Sequence, residues 1–438
     1  MRELKVGVIG FGTVGAGVVD CIFKNGELIG QRTGIMPRIC RVADLDLESD
    51  RGVRVPKELL TRDAREIIAD PDIDVVVELV GGISTARDFI LAALAAGKSV
   101  VTANKALLAE HGETLFAAAD EARQNIFYEA SVGGGIPIVK AMCEGLVGNR
   151  FSMVLGILNG TCNYILTRME AEGAPFEQVL AEAQQAGYAE ADPGLDIDGV
   201  DTAHKASILG SLAYGQWFGM APIHVEGIRN ISLQEIRYAS RLGYRIKLLA
   251  VIRQENNDVQ IRVHPALLPA DSMLGNIGGV FNAVLIQGDP VGDTLYSGRG
   301  AGREATASAV VADIVDAGRR LSAGAGTGDP AFRAYHGFGR LTPISSICTR
   351  YYLRLQLLNR PGVLAQVAGV LGDLNISLAS VTQQESEETA DGLEPIAVPV
   401  VILTHEAKEK DLQQALIRLR ELEAVAEPPV MLRIEDAD

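Results

Sequence analysis

Three glycines, Gly10, Gly12 and Gly15, stand in a G-x-G-x-x-G spacing between the apolar run at residues 4–9 (LKVGVI) and an apolar helical stretch. After a parallel strand, that spacing turns the chain tightly. It also lets a ligand approach the backbone and aims the free N–H groups of a helix start at a pyrophosphate. Gly10, Phe11, Gly12, Thr13, Val14 and Gly15 are therefore the candidate cradle of a dinucleotide, and a nicotinamide cofactor is implied. Asp44 closes the next apolar run and is placed to accept ribose hydroxyl groups, which favours NAD. Arg41 and Arg51 lie close enough in sequence to meet a ribose phosphate, so NAD and NADP both stay open.

A second concentration of chemistry runs from Gly187 to Lys205 (GYAEADPGLDIDGVDTAHK), where Glu190, Asp192, Asp196, Asp198 and Asp201 precede one lysine. Asp201 and Lys205 are four apart on a predicted helix and share a face. An exposed pair of that kind is worth only a few tenths of a kcal/mol, so spacing alone favours a solvated ion pair. Lys105 follows the run at residues 98–104, at the carboxyl edge of the sheet where open α/β folds bind ligands, and a cation at that helix start opposes the helix dipole. Gly298, Gly300 and Gly302 form either a turn facing the nicotinamide or an ordinary helix entry. His204 lies off the Lys205 face and is read as packing or surface. Nothing around Cys162 marks an activated thiolate.

These residues need a scaffold, and the apolar runs supply one. Strands are expected at 4–9, 39–44, 74–82, 98–104 and 125–134, with helices between them, which gives five parallel strands in a Rossmann-type doubly wound α/β sheet. From about residue 135 to 304 helices mix with strands such as FSMVLGIL and DVQIRVHPALL, an α+β region expected to bind substrate and to dimerise. The helix at 305–321 is expected to pack back on the first unit (residues 1–134). Residues 322–350 read as a return segment and linker. Residues 351–438 run βαββαβ, a ferredoxin-like unit, with the acidic stretch 385–394 as a solvated hairpin tip. Few charged or apolar features bridge the linker, so the first 342 residues are expected to fold alone.

Composition narrows the class. The chain has 438 residues, 47% hydrophobic and 22% charged, which fits several globular domains and excludes low-complexity architecture. A net charge of −16 disfavours nucleic acid or an anionic membrane surface as partner. Five scattered cysteines at no metal or redox spacing fit a reducing, cytoplasmic compartment, and no signal peptide or membrane span is expected.

The run G-Y-x-E-A-D-P-x-x-D-x-x-G-x-D-x-x-x-K resembles the signature of homoserine dehydrogenases, as do NGTCNYILTRM at 159–169, VTANKALLA and LYSGRGAGREATASAV. The last 88 residues, with NRPGVLAQVAGVLGDLNISLASV, resemble an ACT-type amino-acid-sensing domain. The resemblance implies NAD(P)H-dependent reduction of L-aspartate 4-semialdehyde to L-homoserine. Lys205 is then the expected proton donor, and Asp201 would orient it. Glu190, Asp196 and Lys105 are expected to line the substrate pocket, Lys105 also meeting the nicotinamide, with Gly302 near the cofactor. A monovalent cation, usually sodium, is implied at Glu129 with the carbonyls of Val132, Gly134 and Ile136. Many members carry an arginine where Ala43 stands, so one clamp for an NADP phosphate is missing. The ACT-type resemblance implies feedback inhibition, with threonine as the expected effector at Asn359, Gly362 and Leu364. A homodimer or homotetramer is expected. The rival readings are another amino-acid semialdehyde dehydrogenase, acylating through Cys162, and a non-catalytic sensor of nucleotide and amino acid.

Overall fold

The computed structural model describes residues 1–324, 332–335, 340–383 and 397–436. The acidic stretch at 385–394 and part of the expected linker lie outside these residues. The first unit is a parallel sheet in the order β3-β2-β1-β4-β5-β6. Its strands are β1 (Arg2–Ile9), β2 (Ile35–Ala43), β3 (Leu60–Thr61), β4 (Val75–Glu78), β5 (Ser99–Thr102) and β6 (Ile126–Phe127). Leu4, Val6 and Val8 on β1, and Val75, Val76 and Val77 on β4, are fully buried because helices cover both faces. The doubly wound sheet is as expected, with local differences: β2 starts earlier, at Ile35, and the expected strand 74–82 ends at Glu78. A sixth, two-residue strand, β3, joins β2, too short to leave a periodic signal. The expected strand at 125–134 stops at Phe127, where a 3-10 turn (Glu129–Ser131) begins.

The chain then builds a long second sheet. Its strands are β7 (Arg150–Ile157), β8 (His224–Val225), β9 (Tyr244–Glu255), β10 (Asp258–Pro269), β11 (Phe281–Asp289) and β12 (Gly292–Arg299). The helix Arg303–Ser322 returns to the first unit, burying Ala307, Val310 and Ile314 in the same apolar cluster as β1 and the helix Thr13–Thr33.

The last unit contains β13 (Cys348–Leu358), β14 (Leu378–Gln383), β15 (Ala397–Thr404), β16 (Ala407–Lys408) and β17 (Val430–Ile434), with the helices Val363–Asp373 and Glu409–Arg420. Val363, Val367 and Leu371 of one helix, and Leu412, Leu416 and Leu419 of the other, cover one face of this sheet, while Val370, Leu374 and Leu422, also in step with the helical period, are partly buried at its margin.

The last unit is joined to the second sheet rather than set apart from it. Strand β17 pairs in parallel with β10, Ala266 opposite Arg433 and Leu267 opposite Ile434. One continuous sheet therefore runs β12-β11-β7-β9-β10-β17-β13-β15-β14. Charged pairs lock the junction. Arg433 donates to both carboxylate oxygens of Glu226 at 3.0 Å and to Glu409 at 2.9 and 2.6 Å. Arg262 donates to the buried Glu435 at 2.7 Å, and Arg354 pairs with the buried Glu235. Isolated charges far apart in sequence carried no sign of these partners, and removing one member of such a pair costs about 3–5 kcal/mol.

Candidate active site

The sheet order reverses between β1 and β4, so a crevice opens at their carboxyl ends. The glycine-rich turn fills one side of it. Gly10 has φ +101°, and a methyl group placed on it would stand 2.6 Å from the Leu79 carbonyl oxygen. A methyl group on Gly15 would stand 2.0 Å from the Gly10 carbonyl oxygen, so the helix sits against the turn at a distance only glycine permits. A methyl group on Gly12 would meet nothing within 4 Å. No side chain caps the helix Thr13–Thr33, so its first N–H groups stay available. Tight packing at Gly10 and Gly15 with open space at Gly12 fits a pyrophosphate, and these residues suit a dinucleotide.

Asp44 closes β2 as expected, yet its carboxylate is engaged within the protein. The Phe11 N–H donates to Oδ2, and the Asp46 N–H donates to Oδ1 at 2.9 Å. The same sheet edge holds a carboxyl group the sequence did not single out. Glu78 is fully buried at the end of β4 and accepts from the Thr102 hydroxyl at 2.7 Å and the Val80 N–H at 2.8 Å. Burial pushes it up to about 7 despite both bonds.

Facing this edge is a cluster of lysines and carboxylates. The Lys205 ammonium donates to Asp201 Oδ2 at 2.8 Å and to the Leu158 carbonyl at 2.6 Å. Lys105 Nζ stands 3.1 Å from Asp201 Oδ1, so one carboxylate bridges two lysines from different units. The Lys205 and Asp201 side chains are only 9% and 10% exposed, so this is no solvated pair. Burial alone would raise the Asp201 carboxyl, but Lys205 and Lys105 outweigh it and hold the group well below the usual carboxylate range. An ammonium group has three protons, and with two committed one is left for a further acceptor.

Asn159 was not picked out from the sequence, and it organises the cluster. Its Oδ1 caps the helix Gly160–Glu172 by accepting from the Cys162 N–H at 2.8 Å, and its Nδ2 donates to Asp196 Oδ1 at 2.7 Å and Asp201 Oδ2 at 2.9 Å. An asparagine before a helix signals a cap, but the reach of its other end belongs to tertiary structure. Asn282, also unforeseen, donates to the Leu158 carbonyl at 2.8 Å, so it shares that acceptor with Lys205. Burial raises the Asp196 carboxyl, with the bonds from Asn159 and Thr161 opposing it.

Other expected residues are placed differently. Glu190 lies exposed on the loop before the helix Gly194–Ile197, and its carboxylate has no partner among the described residues. Gly302 precedes the helix Arg303–Ser322 with φ +116°. His204 is half-buried, and burial lowers its pKa. Cys162 is buried, and burial raises its thiol far above the ordinary value, opposite to what a thiolate nucleophile needs. In the last unit, Gly362 has φ +88° before the helix Val363–Asp373, in a turn where Asn359 is exposed and Leu364 is 41% exposed.

Glu129 is engaged at a helix start. Its carboxylate accepts from the Val139 N–H at 2.9 Å and the Lys140 N–H at 2.8 Å, a helix-start cap, and burial pushes it up to about 6. The Ile136 carbonyl accepts from the Ile138 N–H at 2.8 Å. One accepted bond leaves a carbonyl oxygen a second lone pair, so the carbonyls of Val132, Gly134 and Ile136 keep acceptor capacity for a hard cation.

Residues 10–129 match the family model described as the NAD-binding domain of homoserine dehydrogenase, 137–315 that of homoserine dehydrogenase, and 351–424 that of the ACT domain. A homoserine dehydrogenase of Pseudomonas aeruginosa is 43% identical over 445 residues, covering 99% of each chain. The crystal structure of a homoserine dehydrogenase from Thiobacillus denitrificans superposes with TM-score 0.93 at 43% identity, covering 100% of this chain and 99% of that one. A hyperthermophilic archaeal homoserine dehydrogenase in complex with NADPH covers 73% of this chain and 98% of its own, with TM-score 0.62 at 26% identity. With the dinucleotide cradle facing a buried lysine–carboxylate cluster and matches along its whole length, the chain belongs to the homoserine dehydrogenase family, NAD(P)-dependent oxidoreductases, in a form carrying a C-terminal ACT domain.

Proposed function

We propose that Lys205 supplies the proton in the reduction of L-aspartate 4-semialdehyde to L-homoserine. The bound nicotinamide supplies hydride to the aldehyde carbon, and negative charge develops on the oxygen. Lys205 delivers its uncommitted proton to that oxygen, with its direction fixed by Asp201 and the Leu158 carbonyl. Asp201 holds both lysines in place, and Asn159 holds Asp201 against Asp196. Lys105, at the sheet edge and 40% exposed, lies between cofactor and substrate and supports the same charge. Glu190, whose exposed carboxylate is unpaired among the described residues, takes the substrate α-ammonium together with Asp196. The observation that carries this reading is the buried Lys205 ammonium with two of its three protons committed.

The ACT domain makes amino-acid control part of the same proposal, with threonine held at the open turn Asn359–Leu364. A monovalent cation at Glu129 with the carbonyls of Val132, Gly134 and Ile136 belongs to the same proposal, on a carboxylate that also caps a helix start. A cytoplasmic location is supported by the five free cysteines, and no helix among the described residues is long and apolar enough to cross a membrane. Assembly into two or four copies is also proposed, since β12 and β14 are the two ends of the long sheet. The experiment is steady-state oxidation of homoserine with NAD and with NADP. Turnover with at least one is expected, and turnover with neither would overturn the reading.

A further inference from the structure

Two of the arginines that the sequence places near the adenosine end of the cofactor are already committed. Arg41 Nη1 stands 3.2 Å from Glu66 Oε2, and Arg51 Nη2 stands 2.9 Å from Asp46 Oδ2. A third guanidinium arrives there from far along the chain. Arg303 opens the helix Arg303–Ser322, and its first turn presses on the second turn of the helix that follows the glycine-rich loop. A methyl group on Gly17 would stand 2.8 Å from Arg303 Cγ and 2.9 Å from its carbonyl oxygen. From that anchor the side chain reaches the loop after β2, where a methyl group on Gly52 would stand 3.3 Å from Arg303 Nη1. Arg303 is half-buried as a residue, and its guanidinium has no hydrogen bond or ion pair among the described residues.

The loop it touches is rigidly built. Asp46 donates its N–H to Asp44 and accepts from the N–H groups of Glu48 and Ser49, both at 3.1 Å, as well as from Arg51. Asp44 thus spends one carboxylate oxygen on this loop and the other on the Phe11 N–H. An aspartate at the end of this strand selects NAD when its oxygens take the ribose hydroxyls, whereas a nearby arginine accommodates the 2′-phosphate of NADP. Here each aspartate oxygen already accepts a backbone N–H, and a guanidinium without a partner among the described residues lies across the loop.

We propose that Arg303 receives the adenosine 2′-phosphate, so that this chain accepts NADP(H) without an arginine at position 43. The proposal rests on the glycine-rich turn being the dinucleotide cradle. Arginine suits the task because its planar fork meets phosphate oxygens in pairs. Its long stem explains why the loss at Ala43 need not remove the interaction.

The test is direct binding, by quenching or calorimetry, of NADPH, NADH, adenosine 2′,5′-bisphosphate and ADP to the intact protein. Wild type is compared with Arg303→Met, which keeps the stem on Gly17, and with Arg303→Lys. Arg303→Met is expected to weaken NADPH and the 2′,5′-bisphosphate by about tenfold to a hundredfold, the range for charge-assisted hydrogen bonds, and to leave NADH and ADP within about twofold. Arg303→Lys is expected to recover part of the loss. Equal weakening of NADH and NADPH would place Arg303 on the pyrophosphate and overturn the assignment, as would no change in any ligand. Wild-type protein that binds neither dinucleotide would overturn the cradle itself.

Discussion

Asp201 Oδ1 stands 3.1 Å from Lys105 Nζ, which joins the carboxyl edge of the nucleotide-binding sheet to the helix that carries Lys205. A side chain from each unit is thereby held by one carboxylate.

Asp201→Asn should expose that dependence. It leaves two lysines facing a neutral group, one of them buried, so the expected result is a fall in kcat of about two to four orders of magnitude, with a lower melting temperature. The check is kcat, KM and a calorimetric melt on the same preparation. Unchanged kcat would remove Asp201 from the machinery.

Asn159→Ala removes a helix cap and the amide that holds Asp196 and Asp201 together. The cap alone is worth about 1 kcal/mol, which a denaturation curve measures. A rise in homoserine KM beyond that stability loss is expected from the displaced carboxylates. A variant with normal kinetics and only the stability loss would make Asn159 a cap and nothing more.

Glu190→Ala is expected to raise the homoserine KM with a smaller effect on kcat, since the proposed ionic contact to the substrate ammonium would be made both before and during reaction. NADPH binding should be unchanged. Unaltered KM and kcat would take Glu190 out of the pocket.

Glu78 gives a pH prediction. Its folded value, about 7, is above the ordinary carboxyl value of 4.5, so between these limits the folded state binds more protons than the unfolded state. Stability contributed by this group is present at low pH and is lost as pH rises from about 4.5 to 7. Glu78→Gln should flatten that slope by a few kcal/mol at most, read from urea midpoints across the range. A slope identical to wild type would contradict the buried, proton-holding state.

The C-terminal unit should not be removable. Cutting at Pro343 uncovers β10 and strips Arg262 and Glu226 of Glu435 and Arg433, so an insoluble or strongly destabilised fragment is expected. A soluble fragment that melts with the full chain would contradict the junction.

Much of this was legible because it is local. Gly10, Gly12 and Gly15 announce the turn through spacing and setting, and the helices of the last unit announce their faces through Val367 and Leu416. Asp201 and Lys205 were visible as a pair, but their burial was not, because it depends on Leu158, Asn159 and Lys105 arriving from elsewhere. Spacing cannot show that Glu129 turns to cap a helix start ten residues on. The junction was least legible of all. Arg433 reads as one cation in a short strand until Glu226, 207 residues away, is placed against it.

The most direct test of the central claim is single-turnover reduction of aspartate semialdehyde by prebound NADPH, followed by nicotinamide absorbance, in wild type and in Lys205→Met. The account predicts that NADPH still binds and that the reduction step slows by about two to four orders of magnitude. A folded Lys205→Met protein that reduces the aldehyde at the wild-type rate would contradict it.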